Sequence, residues 1–136
     1  MKKILIVITI MIIAIVGLAV FLLGRVGIDI KVINQTNEEI PEMYLTYENI
    51  NSDIKIPPLA PGETYKLNLN TIKNSTEDFV EGALLLKYID NFGSLNTEYV
   101  IGYFEKGYSG NAVIKIKSID ANGKLEIEIE DNPKIK

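Results

Sequence analysis

An all-β domain, an antiparallel sandwich or barrel of seven or eight strands preceded by one transmembrane helix, is the fold class this 136-residue chain predicts. Three observations carry that expectation. An uncharged apolar block fills Ile4–Leu23. Beyond Gly27 the apolar residues recur at every second position, the period of a half-buried strand. Turn-forming residues interrupt that alternation at short intervals, and no stretch after Leu23 keeps a helical period over about ten residues.

The block ILIVITIMIIAIVGLAVFLL contains twenty residues, fifteen of them Ile, Leu, Val or Phe, with Thr9 as its single polar side chain. At about 1.5 Å per residue it reaches about 30 Å, the thickness of a hydrocarbon core. A secretory signal core runs about 7–15 residues and ends at an A-x-A-like site. This block is longer and is followed by Gly24-Arg25-Val26-Gly27, which reads as an uncleaved anchor rather than a cleaved leader. Lys2 and Lys3 precede the block and Arg25 and Lys31 follow it, so the basic flanks are nearly balanced. The three-residue leader reads as the n-region of a signal-anchor, which places the N-terminus in the cytoplasm. The expected organisation is a tail at 1–3, a span at 4–23, a linker at 24–27, an extracellular β-sandwich at 28–131 and a tail at 132–136.

The strands follow from alternation. Ile28, Ile30 and Val32 alternate with Asp29 and Lys31; Met43, Leu45 and Tyr47 with Tyr44 and Thr46; Tyr65, Leu67 and Leu69 with Lys66 and Asn68. Leu84, Leu86 and Tyr88 form a face, and Leu85 makes that strand apolar on both sides. Further strands are expected at Glu98–Phe104, Ala112–Ser118 and Leu125–Glu130, with an eighth at Ile54–Ile56. Breaks fall at Asn34–Asn37, Pro57–Gly62, Asn91–Ser94, Gly107–Asn111 and Asp120–Gly123.

In the last pair, Ala112, Ile114 and Ile116 share a face with Leu125, Ile127 and Ile129 only if the loop length is even. A four-residue loop puts Ile116 opposite Ile127, Lys115 opposite Glu128 and Lys117 opposite Glu126. A two-residue Asn122-Gly123 turn puts Lys117 opposite Glu128. Both readings set lysines against glutamates on the solvent face, for about 0.2–1 kcal/mol per pair.

Composition removes whole chemistries. The chain has no cysteine and no histidine, so thiol nucleophiles, disulfides, zinc–thiolate sites, lipoprotein acylation and imidazole catalysis are excluded. The fourteen basic residues less Lys2 and Lys3, against eighteen acidic, leave residues 24–136 at a net charge of −6. That is the wrong sign for a nucleic-acid partner or for attraction to anionic lipid. No cofactor is expected.

GYFEKGYSG, Gly102–Gly110, is the stretch richest in chemical functionality. Gly102, Gly107 and Ser109 fall at phosphate-loop spacing, but Tyr108 occupies the lysine position and a strand follows instead of a helix. Its plain reading is a strand end whose glycines permit positive φ and whose rings close the core. Its functional reading is a partner-contact edge made of Tyr103, Phe104, Lys106 and Tyr108. Counted from Ser118, Asn122 and Gly123 fit positions 5 and 6 of a calcium loop, yet Ile129 stands where the bidentate glutamate belongs. Glu38-Glu39 and Glu77-Asp78 read as solvated loop carboxylates, and Pro57, Pro58 and Pro61 as an extended crossover closed by Gly62.

Residues 28–69, with IKVINQTNEEI leading to MYLTYE and then IPPLAPGETYKL, resemble small extracellular immunoglobulin-like modules of Gram-positive surface proteins, including the FxLYD type. The whole chain looks like uncharacterised single-pass membrane proteins of such bacteria. The resemblance implies an immunoglobulin-like sandwich and no particular activity. Four residues separate Leu23 from Ile28, a reach of about 14 Å, which holds the domain close to the bilayer. The expected role is a non-enzymatic accessory or protein-interaction module with a partner in the same membrane. A cell-envelope peptide- or glycan-binding module is the alternative, and a carboxylate-dependent enzyme a third.

Overall fold

The computed structural model describes residues 2–23 and 27–133, with side chains at 2–16 and 27–132. Helix α1 covers Lys2–Leu23, and its apolar side chains from Ile4 to Val16 are exposed on every side. Within it the Thr9 hydroxyl is satisfied by donating to the Leu5 carbonyl at 2.9 Å. Among the described residues no helix is long and apolar enough to cross a membrane. The side chains of Gly17–Leu23, the last third of the expected span, lie outside the description.

Eight strands follow: β1 (Ile28–Asn34), β2 (Met43–Thr46), β3 (Ile54–Ile56), β4 (Thr64–Leu69), β5 (Glu81–Ile89), β6 (Leu95–Glu105), β7 (Gly110–Ile119) and β8 (Leu125–Pro133). Every expected strand is present, the short Ile54–Ile56 included. They form two four-stranded sheets, ordered β4-β1-β7-β8 and β3-β2-β5-β6. The core lies between them. From the first sheet Ile28, Ile30, Val32, Ala112, Ile114 and Ile116 point inward, and from the second Met43, Leu45, Leu84, Leu86 and Tyr88. Each buried aliphatic side chain contributes about 1.5–3 kcal/mol relative to exposure.

The expected pairing needs one correction. It is antiparallel everywhere except between β1 and β7, which run parallel from Ile28 beside Gly110 to Asn34 beside Ile116. The reason lies in the crossovers. The turn after β6 carries the chain from the second sheet to the first and starts β7 at the end where β1 also starts. The two strands therefore point the same way, and β1, with β4 on its other side, becomes an inner strand.

That end is shared by many termini. Ile28, the start of β1, is paired with Leu69, the end of β4, and with Gly110, the start of β7, which pairs Pro133 near the end of β8. Glu81 and Glu105, the start of β5 and the end of β6, complete it from the other sheet. Gly27 is tied into this end by its carbonyl, which accepts from Gly110 at 3.2 Å, and by its N–H, which donates to Ser109 Oγ at 3.3 Å. The chain thus enters the domain here; the β5–β6 and β7–β8 hairpin tips lie at the far end.

The last hairpin resolves the register question in a third way. Ile116 faces Ile127 and Lys115 faces Glu128, as the four-residue loop requires, but Ile119 faces Leu125 and encloses five residues. A bulge at Lys117 absorbs the odd residue, so the isoleucines still face inward. The ion pairs run diagonally, Lys115–Glu130 at 3.2 Å and Lys117–Glu128 at 3.4 Å.

Both far tips have one construction. Asp120 Oδ1 accepts from the N–H groups of Asn122 and Lys124, each at 2.9 Å, and Gly123 takes φ 79°. Asp90 Oδ1 accepts from Phe92 at 2.9 Å and Ser94 at 3.0 Å, and Gly93 takes φ 77°. Only glycine adopts that backbone without cost. Near the same far end Asn34, fully buried, joins the proline segment to the β1 exit. Its amide donates to the carbonyls of Glu38 (2.8 Å), Leu59 (3.1 Å) and Ala60 (3.1 Å), while its oxygen accepts from Thr36 N–H and Oγ1. Leu59 in the proline segment also exchanges two 2.9 Å hydrogen bonds with Ile40.

Candidate functional site

Gly102–Gly110 comprises the end of β6, a four-residue turn and the first residue of β7. It is a crossover between sheets and not a hairpin. Gly107 takes φ 82° and its N–H donates to the hydroxyl of buried Thr71 at 2.8 Å, while Lys106 N–H donates to the Val80 carbonyl at 2.9 Å. Gly110 is needed for a different reason than expected, because its φ is not positive. A Cβ there would stand 2.7 Å from the Tyr108 ring and 3.0 Å from the Asn132 carbonyl oxygen. Tyr108 folds back over Gly110, and a side chain there would have to displace its ring.

The four candidate contact residues are split by the fold. Phe104 is buried, with its ring centroid 5.3 Å from Tyr47, 5.5 Å from Phe79 and 6.2 Å from Tyr108. It belongs to the core and is not available to a partner. Tyr108 is half-buried against it, and desolvation pushes its phenol pKa up. Tyr103 and Lys106 are exposed.

Tyr103 is held by two carboxylates. Its hydroxyl lies 2.8 Å from Glu81 Oε2 and 3.0 Å from Glu105 Oε1, where it donates. Those hydrogen bonds, that to Glu81 first, raise the phenol well above its ordinary range. The proton stays on Tyr103 at neutral pH, so the phenol serves as a donor and not as a base or nucleophile. Its effect is mechanical: Glu81 and Glu105 are direct cross-strand partners, and the hydroxyl bridges them beside an irregularity in the β5–β6 register. Among the described residues no three acidic side chains converge in a way that could hold a metal ion.

A larger exposed apolar surface lies elsewhere on the same hairpin. Leu85 pairs with Tyr99 and Ile89 with Leu95, all on the outer face of the second sheet. Tyr99 is 68% exposed, and Phe92 at the hairpin tip 75%. Lys87, paired with Tyr44 on one side and Thr97 on the other, supplies the charge in this row. The signal for this surface was present in the sequence. Once Leu84, Leu86 and Tyr88 are assigned inward, Leu85, Lys87 and Ile89 must face solvent.

β6 is the outermost strand of its sheet, but its backbone is poorly suited to adding another strand. Leu85 pairs with Tyr99 and Leu84 with Ile101, which leaves Val100 as an extra residue; a second shift follows before Phe104 meets Gly82. Bulges twist an edge away from strand addition. Contact at this edge would run through side chains. On the opposite sheet a shallow groove over β4, β1 and β7 is lined mainly by Asp29, Lys31, Lys66, Asn68, Asn111 and Val113, with Asn68 donating to Asp29 at 2.8 Å.

Comparisons with family models, with curated proteins and with solved structures find no match to this chain.

Proposed function

We propose that this protein is a non-enzymatic interaction module, anchored in the cell membrane by Ile4–Leu23 with its immunoglobulin-like domain outside, and that the outer face of the β5–β6 hairpin receives a protein partner. The observation that carries the reading is the row Leu85–Tyr99 and Ile89–Leu95 with Phe92 beyond it. Free energy falls when such side chains leave water, and exposed aromatic rings set among aliphatics are typical of an interface centre, with Lys87 suited to its rim. The anchor rests on the twenty uncharged residues of Ile4–Leu23 and the positive flank before them. The likeness to FxLYD-type modules rests on the sequence alone, on IKVINQTNEEI, MYLTYE and IPPLAPGETYKL in that order.

The surface also moves the proposed contact. Of Tyr103, Phe104, Lys106 and Tyr108, two are packed, whereas the β5–β6 face is continuous with solvent. The test is photo-cross-linking in cells with a crosslinking residue at Lys87. A membrane-protein adduct that disappears in Tyr99→Ser or Leu95→Ser, and persists in Lys66→Ser on the other sheet, supports the reading. An adduct indifferent to all three substitutions overturns it. Envelope glycan or peptide captured in the same Tyr99-dependent way would assign the face to ligand binding instead.

A further inference from the structure

The end of the domain where the chain enters carries two large apolar side chains that are more than half exposed. Ile72 is 55% exposed and Val80 69% exposed. Both belong to the connection between β4 and β5, and both sit beside the β6–β7 crossover. A Cβ on Gly107 would lie 3.8 Å from Ile72 Cδ1, and the Val80 carbonyl accepts from Lys106 N–H at 2.9 Å. The crossover is fixed to the chain entry in turn, through Ser109 Oγ and Gly110 N–H on Gly27. Thr71, one residue before Ile72, is buried and accepts from Gly107 N–H at 2.8 Å, so the segment is pinned and its neighbour must point out.

We infer that Ile72 and Val80 form a bilayer-seating contact, dipping into the interfacial layer of the membrane that holds α1. The inference rests on the anchor proposed above. With only four residues between Leu23 and Ile28, the entry end stands within about 14–18 Å of the end of the span. A domain held that closely must turn some surface toward the lipid, and the surface next to its tether is this one. Two aliphatic side chains there can lose water at the headgroup boundary without any change of fold. Lys73 and Lys106 beside them can direct their ammonium groups to lipid phosphates. Glu81 and Glu105 occupy the same end, and the domain is acidic throughout, so attraction to anionic lipid is not the driving force. Seating should therefore occur on zwitterionic phosphatidylcholine. It would hold the sandwich upright, with Phe92 and the far hairpin tips directed away from the bilayer and free for a partner.

The chain has no cysteine, which makes single-site labelling clean. The full chain is reconstituted in phosphatidylcholine vesicles with an environment-sensitive fluorophore at Ile12→Cys, Ile72→Cys, Val80→Cys or Phe92→Cys. All four positions are exposed, so the label displaces no packed side chain. The expected result is a blue-shifted emission quenched by doxyl-labelled lipid at 12, 72 and 80, with neither effect at 92. Quenching at 12 with none at 72 and 80 overturns the seating contact and leaves the anchor standing. No quenching at 12 overturns the anchor, and the seating contact with it. Quenching at 92 equal to that at 72 and 80 shows a domain lying on its side, which also overturns the inference. Adding phosphatidylglycerol should not strengthen the quenching at 72 and 80; a strong increase would mean that charge and not apolar seating holds the domain.

Discussion

Asn91 of one hairpin tip rests on Gly123 of the other, in the space a side chain at that glycine would occupy. The Asn91 N–H donates to the Asn122 carbonyl at 2.9 Å and its amide to the Ala121 carbonyl at 3.2 Å. Tyr88 adds a third link, its hydroxyl accepting from Leu125 N–H at 3.0 Å. The two sheets are thus joined at the far end by polar contacts, where the apolar core has run out.

This docking separates two glycines that are otherwise alike. A Cβ on Gly123 would stand 2.6 Å from Asn91 Oδ1, whereas one on Gly93 meets nothing within 4 Å. Gly93→Ala should cost only the left-handed backbone penalty, about 1–2 kcal/mol. Gly123→Ala should cost that and about 1–2 kcal/mol more, because two tip contacts are disturbed. Urea unfolding of the two variants measures the difference; equal losses would mean that the tips do not hold each other.

Asn34 should be the most sensitive polar residue in the domain. Asn34→Ala removes three donations to the Glu38, Leu59 and Ala60 carbonyls, each of which keeps another donor, at about 0.5–1.5 kcal/mol per hydrogen bond lost, and takes from Thr36 N–H its acceptor, at about 1–3 kcal/mol. Asn34→Asp should be no better, since a carboxylate cannot donate to the carbonyls of Glu38, Leu59 and Ala60. Both variants should unfold at a markedly lower urea concentration than the parent, with an unchanged dependence on urea. A wild-type midpoint for Asn34→Asp would mean the oxygen-side bonds alone suffice.

Acid should loosen the β5–β6 tip first. Asp90 has its pKa lowered, chiefly by the Asn96 amide and then by the Ser94 and Phe92 N–H groups, and Glu42 has its own lowered by Lys55 at 2.8 Å. A depressed carboxylate stabilises the fold above its unfolded value, about 3.9 for Asp and 4.3 for Glu, and that stabilisation is lost as pH falls through the folded value. The urea midpoint should therefore hold between about pH 7 and 5 and fall below about pH 4. Asp90→Ala should lower the midpoint at neutral pH and flatten the acid fall. An equally steep fall in that variant would assign the acid sensitivity elsewhere.

How much of this could be read from residue order depends on the range of the interaction concerned. The period of two in Ile28–Val32, Ala112–Ile116 and Leu125–Ile129 determined the strands and their inward faces, because side-chain direction alternates along any extended backbone whatever surrounds it. The Lys–Glu face of the last hairpin was legible for the same reason, and so was the apolar block of Ile4–Leu23. What tertiary structure alone decided was pairing between distant segments. The parallel match of β1 with β7 joins residues about eighty positions apart, and nothing local to either strand specifies direction. The burial of Phe104 against Tyr47 and Phe79, the seat of Tyr108 over Gly110, and the hold of Tyr103 between two glutamates are all of this kind. Four neighbouring residues of one motif were sent to core, shoulder and solvent by partners that their own sequence does not contain. Local alternation sets which way a side chain points; only the closed sandwich sets what it meets there.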